Sequence, residues 1–109
     1  MSLDDLQKQV DDWANQYSPA YWPPLEQLGR MTEELGELAR EINHKYGVKK
    51  KKMGEQEGGI GKELTDIIFT AMCIANREGI NLQKEWDDMM QKKAYGRDIN
   101  RFEKKEEKH

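Results

Sequence analysis

The sequence predicts an all-α protein, a four-helix antiparallel bundle whose core is completed by oligomerisation. Four segments carry apolar residues at the three- and four-residue spacing of one helical face, and prolines or glycines separate them. Charged residues make up 36% of the 109 residues and hydrophobic residues another 36%, which predicts narrow apolar faces and long solvated ones. Helices with unpaired apolar faces commonly pack against a second copy, so we expect a homodimer or homotetramer.

The first two predicted helices flank a proline-rich turn. Leu3 to Tyr17 carries apolar residues on one helical face, and Ser2 is placed to cap its amino terminus. All three prolines of the chain fall within Ser18 to Pro24, and both proline and the residue before it disfavour helix continuation. A second apolar stripe runs from Leu25 to about Lys45, with Pro24 suited to the first turn.

The third and fourth predicted helices follow a segment rich in glycine and lysine. Val48 to Gly61 contains four consecutive lysines and four glycines, which favour a loop. A helix is predicted to begin around residues 60–62 and to continue to Arg77, with Gly79 as its stop. Another is predicted from Leu82 to about Gly96, with Asn81 as its cap.

Length, charge and cysteine content exclude several classes of protein. We expect one domain over residues 1–109, with a charged tail from about residue 98. The net charge of −3 argues against binding to a nucleic-acid polymer. The most apolar run, Ile67 to Ala75, is about half the length that crosses a membrane, and Met1 to Val10 does not resemble a secretory signal. The single Cys73 cannot form an intrachain disulfide, and we predict a cytoplasmic protein.

Two pairs of carboxylates carry the candidate chemistry. Glu34 and Glu37 are three residues apart, as are Glu63 and Asp66, so each pair lies on one helical face within reach of a common ion. Two such pairs on adjacent helices supply hard oxygen ligands for Mg²⁺, with Mn²⁺ as an alternative. Taken alone, the first pair is better explained as an ordinary solvated face, because glutamate-rich faces are common in a chain this charged. The second pair opens a helix that is apolar on nearly every side and, with no Lys or Arg expected one turn away on that face, a bound cation would compensate its burial.

The two acidic strings resemble a known family motif. EELGE at residues 33–37 and ELTD at residues 63–66 resemble the EExxE…ExxD pattern of MazG-like nucleoside triphosphate pyrophosphohydrolases, and the resemblance extends over roughly Leu25 to Asp98. It implies a bundle of the MazG-like type in which the same four acids coordinate Mg²⁺. It also implies that Glu33 is a neighbouring acid that orients water.

The resemblance implies a reaction and two phosphate-binding residues. Such enzymes cut a nucleoside triphosphate between the α- and β-phosphates, releasing a monophosphate and pyrophosphate, with a role in house-cleaning of nucleotide pools. Glu33 or Glu37 would take the proton of the attacking water. Lys93 and Arg97 match the cations of a Lys-Asn-x-x-Arg stretch in the family, whereas Ala94 stands where asparagine is usual.

Aromatic residues near the second helix are candidates for binding the base. Trp22 lies among the prolines just before the predicted metal-binding helix, and we predict that it stacks on the base. Trp13 and Trp86 are instead expected to fill the core at helical spacing.

Two other functions fit the same residues. A phosphoribosyl-ATP pyrophosphohydrolase has similar acidic spacing and cleaves the same bond, so only the substrate distinguishes it. A non-catalytic helical interaction module would carry the acids as surface charge, and it predicts no dependence on Mg²⁺.

Overall fold

The computed structural model describes residues 1–47 and 59–95, which form four helices and no strand. These are α1 (Leu3–Ala14), α2 (Pro24–Tyr46), α3 (Ile60–Glu78) and α4 (Leu82–Tyr95). The predicted all-α class is confirmed. The predictions for the lysine-rich segment, the charged tail and Arg97 lie outside the described residues. No described helix is long and apolar enough to cross a membrane.

Capping interactions set the beginning of α1, as the sequence predicted. The Ser2 hydroxyl accepts a hydrogen bond from the Asp5 backbone N–H over 3.1 Å, and the Asp5 carboxylate accepts one from the Ser2 N–H over 3.0 Å. The helix ends at Ala14, three residues before the predicted Tyr17. The backbone tightens there, because Gln16 and Tyr17 donate to carbonyls only three residues back as the chain turns toward the prolines.

A glycine and an asparagine shape the connection between α3 and α4. Gly79 adopts a left-handed conformation with φ of +68°, which a side chain would disfavour, and the Ile80 N–H donates to the Ala75 carbonyl over 2.8 Å. Asn81 then caps α4 by accepting a hydrogen bond from the Lys84 N–H over 2.8 Å. Both the predicted stop and the predicted cap are confirmed.

The helices pack in the spatial order α2, α3, α1, α4. Helices α2 and α3 are antiparallel, since Glu37 lies near Glu63 at the start of α3, while the earlier Gln27 shares a cavity with the later Cys73. The buried core is small. Its buried members are apolar in α1 and α3 (Ala14, Met72, Ala75) and polar at five positions (Gln7, Gln27, Glu34, Glu63, Thr70).

Helix α2 buries polar residues and exposes three of its four leucines. Gln27 and Glu34 are buried, whereas Leu28 and Leu35 are more than half exposed. Of the apolar stripe that identified this helix in the sequence, Met31 and Leu38 are half-buried, the other members are exposed, and none belongs to the buried core. Burial of Glu34 places a carboxylate against α3, and this arrangement positions the candidate site.

A polar network fixes α1 and the proline-rich turn against α3. The Tyr21 hydroxyl donates to the Asp11 carboxylate over 2.5 Å and accepts a hydrogen bond from the Asn76 side-chain amide over 3.0 Å. Buried polar groups of this kind hold one geometry when each has a partner. The network holds Tyr21, and with it the neighbouring Trp22, beside the space between α2 and α3.

Candidate metal centre

Three of the four predicted metal ligands lie together between α2 and α3. One carboxylate oxygen from each of Glu34, Glu37 and Glu63 falls within 4.8 Å of the others. Glu34 and Glu37 lie one helical turn apart on α2, and Glu63 lies in the first turn of α3. Glu34 is fully buried and Glu63 is 5% exposed, whereas Glu37 is exposed. The predicted juxtaposition of the two acidic strings is therefore observed for these three residues.

The buried carboxylates lack the hydrogen bonds that normally compensate burial. Among the described residues, neither oxygen of Glu34 nor Oε2 of Glu63 has a hydrogen-bond partner. Burial raises the pKa of the Glu63 carboxyl, and the hydrogen bond and negative charge of Glu37 raise it further, against the opposing charge of Lys62. A cluster of acids that repel one another, with three buried oxygens that accept no hydrogen bond from a described residue, fits a divalent cation, which prefers such oxygen ligands.

Asp66 lies at the edge of this cluster. Its carboxylate is not among the three that converge, and its Oδ2 lies 3.1 Å from the Lys62 ammonium nitrogen. The Asp66 side chain is 36% exposed and, with Glu34, lines a common cavity. Its role as a fourth ligand stays a prediction.

The expectation that no Lys or Arg lies near these acids was wrong. Lys62 pairs with Asp66 one turn along α3, and its nitrogen also lies 3.9 Å from Oε1 of Glu63. On α2, Arg30 Nη2 lies 2.5 Å from Glu34 Oε1. Long side chains reach one helical turn in either direction, so a cation four residues before an acid meets it on the same face.

An aromatic cavity of about 440 Å³ adjoins the acids. Glu34, Asp66 and Arg30 line it together with five aromatic side chains, Trp13, Tyr17, Tyr21, Trp22 and Phe69. Buried Gln27 donates from its Nε2 to the Trp22 backbone carbonyl over 3.0 Å, which fixes the proline-rich turn against α2. The cavity thus joins carboxylates to flat apolar surfaces, a combination typical of sites for ligands that carry both charge and a ring.

Comparison with known proteins identifies the family. Residues 24–102 match the model of the MazG nucleotide pyrophosphohydrolase domain. The chain belongs to the MazG family. It is 42% identical to the protein YpjD of Bacillus subtilis over 106 residues, covering 97% of this chain and 95% of that protein. Membership confirms the resemblance seen in the sequence and indicates a hydrolase that acts on nucleotides.

Two solved structures show the same MazG fold. The crystal structure of YpjD from Bacillus subtilis has a TM-score of 0.74 and 41% identity, covering 84% of this chain and 94% of that one. The crystal structure of a Bacillus-conserved MazG protein, a nucleotide pyrophosphohydrolase, has a TM-score of 0.71 and 39% identity, covering 84% of this chain and 88% of that one. The all-α arrangement described above is thus a MazG arrangement.

The remaining predicted residues of this MazG domain lie at different distances from the cavity. Trp22 lines it and is 54% exposed. Glu33 is exposed, and its Oε2 lies 3.5 Å from Arg30 Nη1. Lys93 is exposed on α4 and is not among the described residues that line the cavity. The structure therefore brings Trp22 to the acids and does not bring Lys93 there.

Two tryptophans differ from their predicted place in the core. Trp13 is 49% exposed on the cavity wall, with its ring 5.5 Å from that of Phe69, and Trp86 is 51% exposed on α4. The core prediction was wrong for both. Trp13 lies outside the core because α1 directs Gln7 and Ala14 inward, and Trp86 lies on α4, none of whose described side chains is buried. Sequence reasoning also missed Arg30. Its position four residues before Glu34 was the available signal.

Proposed function

We propose that this protein is a metal-dependent nucleotide pyrophosphohydrolase that cleaves a nucleoside triphosphate between its α- and β-phosphates. The products would be a nucleoside monophosphate and pyrophosphate, consistent with house-cleaning of cytoplasmic nucleotide pools. The observation that carries the proposal is Glu34, which is fully buried, has no hydrogen bond to either oxygen, and lies beside Glu37 and Glu63. Arg30 pairs with Glu34, and Lys62 lies 3.9 Å from Glu63. These two single charges do not balance the four carboxylates of Glu34, Glu37, Glu63 and Asp66, so a further cation would lower the cost of burying them.

The residues that would hold the cation are Glu34, Glu37 and Glu63, with Asp66 as the fourth ligand. Mg²⁺ is the cation that we propose, with Mn²⁺ as a substitute, because both prefer carboxylate oxygen. When bound, the ion would neutralise charge on phosphate oxygens and lower the pKa of an attacking water. The protein contributes the fixed positions of the carboxylates, which α2 and α3 hold in place by their packing.

Other residues would bind the substrate and accept a proton. Glu37 and Glu33 are exposed next to the buried acids, so either can accept the proton of the attacking water. Trp22 presents an exposed ring on the cavity wall, where a nucleobase can stack on it. Lys93 and Arg97 remain our proposed contacts to the polyphosphate on the strength of the family motif alone.

We further propose that two copies associate through the outer face of α2. Positions 25, 28, 32, 35, 39 and 42 alternate in steps of three and four, which is the spacing of a coiled-coil seam. The large residues of this seam are exposed at 81% for Leu25, 56% for Leu28, 58% for Leu35 and 41% for Ile42. Contiguous exposed leucines favour burial against a partner, and the same seam on a second copy is complementary to itself.

The proposed reaction is tested by measuring pyrophosphate release from a panel of nucleotides with Mg²⁺ or with a chelator. The panel contains canonical and modified nucleoside triphosphates together with phosphoribosyl-ATP. We expect Mg²⁺-dependent release for the wild type and a loss of at least about 100-fold for Glu63→Gln. Glu26→Gln, an exposed acid in the first turn of α2, is the matched control and should retain activity. Inactivity of the wild type on every nucleotide would contradict the proposal.

A further inference from the structure

Arg30 lies between the cluster of acids and the aromatic cavity. It lies one turn before Glu34 on α2, with Nη2 2.5 Å from Glu34 Oε1 and Nη1 3.5 Å from Glu33 Oε2. Its side chain is 46% exposed and lines the cavity that also contains Trp22. Arg30 therefore connects a buried metal-ligand candidate to the space where a substrate would lie.

The contact between Arg30 and Glu34 neutralises charge without satisfying the carboxylate. Although the two groups are close, neither Glu34 oxygen has a hydrogen bond with acceptable geometry, so the pair lacks the aligned contacts of a stable Arg–carboxylate fork. Three acids within 4.8 Å create the negative potential that attracts the guanidinium. A cation bound by the same acids would remove most of that attraction.

We propose that Arg30 is a displaceable counter-ion with two positions. It pairs with Glu34 in the metal-free protein and, once the acids hold a cation, its guanidinium turns into the cavity and binds the polyphosphate of the nucleotide. This inference rests on the proposed function. The planar guanidinium fork matches phosphate oxygens. Arg30 and Glu34 line the same cavity, so rotation of the Arg30 side chain would bring its guanidinium to a ligand bound there.

The first measurement is the affinity for Mn²⁺ alone, read from the electron paramagnetic resonance signal of free Mn²⁺. Arg30→Gln removes the competing charge, so we expect it to bind Mn²⁺ about three- to tenfold more tightly than wild type. Arg30→Lys keeps the charge and should stay within about twofold of wild type. Lys8→Gln, which removes a cation paired with Asp12 on α1, is the charge control and should leave the affinity unchanged.

The second measurement is the affinity for inorganic pyrophosphate at saturating Mg²⁺, by calorimetry. Pyrophosphate carries the phosphate charge without a base, so it reports the second position of Arg30 independently of nucleotide preference. We expect Arg30→Gln to weaken this binding by about tenfold or more. Arg30→Lys should also weaken it, since an ammonium lacks the fork.

The two measurements separate failure of this inference from failure of the proposed function. Wild-type protein that binds no Mn²⁺ would overturn both. Wild-type protein that binds Mn²⁺, with either affinity unchanged in Arg30→Gln, would overturn the role of Arg30 alone. A change in Lys8→Gln equal to that in Arg30→Gln would assign the effect to net charge and would also overturn it.

Discussion

Gln7 and Asn76 bind each other in both directions across the contact between α1 and α3. The Gln7 Nε2 donates to Asn76 Oδ1 over 2.9 Å, and the Asn76 Nδ2 donates to the Gln7 backbone carbonyl over 2.9 Å. The Gln7 side chain also donates to the Ile80 carbonyl and accepts a hydrogen bond from the Leu82 N–H. One buried amide thus joins α1, α3 and the start of α4.

Replacement of this amide should destabilise the fold well beyond an ordinary surface change. Gln7→Ala leaves Asn76 Oδ1, the Ile80 carbonyl and the Leu82 N–H without their partner, so we expect a loss of about 2–4 kcal/mol in the free energy of unfolding. Gln9→Ala removes the same side chain from an exposed position of α1 and should cost less than about 0.5 kcal/mol. Urea unfolding of both variants measures the difference, and equal losses would refute this account of the network.

Tyr21 predicts a specific loss of stability at alkaline pH. Burial and then the hydrogen bond to Asp11 raise the pKa of its hydroxyl to about 12, against the opposing hydrogen bond from Asn76. Because the pKa in the folded state lies above the unfolded value near 10, the contribution of protonated Tyr21 is complete below about pH 10 and is lost between about pH 10 and 12.

Comparison with Tyr21→Phe isolates this titration from that of other groups. The wild type should be more stable than the variant near about pH 8, and the difference should shrink as the pH rises above about 10. Urea unfolding at a series of pH values measures it. A difference that stays constant over this range would show that the Tyr21 proton does not contribute.

The buried carboxyl of Glu63 should lower the stability of the metal-free protein, although the proposed function requires it. Burial and the neighbouring Glu37 raise the pKa of its carboxyl, so the protonated form is favoured in the folded protein. Any stabilisation from that proton is present below the ordinary carboxyl pKa and is lost as the pH rises through the raised pKa, so above that pH the ionised group opposes folding. With a chelator present, Glu63→Gln should therefore raise the melting temperature. With Mg²⁺ present, the same variant should lose activity.

The matched variant for this experiment is Glu26→Gln, which changes an exposed acid. Its melting temperature should stay close to that of wild type in the chelator. A lower melting temperature for Glu63→Gln than for Glu26→Gln would contradict the inference that ionised Glu63 destabilises the metal-free protein.

The exposed seam of α2 should determine whether the protein is a monomer or an oligomer. Leu28→Lys with Leu35→Lys places two charges in the exposed stripe, so we expect the double variant to be monomeric where the wild type is a homodimer or homotetramer. Mass in solution from light scattering measures it. Met90→Lys, at a residue of α4 that is 44% exposed, should leave the association intact. A monomeric wild type would refute this interface.

Local sequence signals predicted most of the fold. As expected, α3 ends just before Gly79, and the proline-rich segment separates α1 from α2. Ser2 caps α1 and Asn81 caps α4. Helical spacing placed Glu34 and Glu37 on one face of α2, and the expected packing of two adjacent helices brought Glu63 to them. In contrast, periodicity identifies a helical face without saying what covers it. It could not show that α2 buries Gln27 and Glu34 and exposes three of its four leucines.

Residue spacing alone did not predict which acids the long basic side chains contact. Arg30 and Lys62 lie one turn from the acids they contact, yet their rotamers depend on the surrounding charge and on space in the cavity. The exposed Trp13 has a similar explanation, because its place was decided by the polar face of α1 that packs on α3. These contacts are properties of the assembled helices and not of any one segment.

The central claim is that Glu34, Glu37 and Glu63 together hold a divalent cation, and calorimetric titration with Mn²⁺ tests it most directly. We expect the wild type to bind Mn²⁺, Glu26→Gln to bind it with unchanged affinity, and Glu34→Gln to lose at least about tenfold in affinity, since one buried oxygen ligand becomes a neutral amide. Equal affinities for wild type and Glu34→Gln, or no binding by the wild type, would contradict the claim.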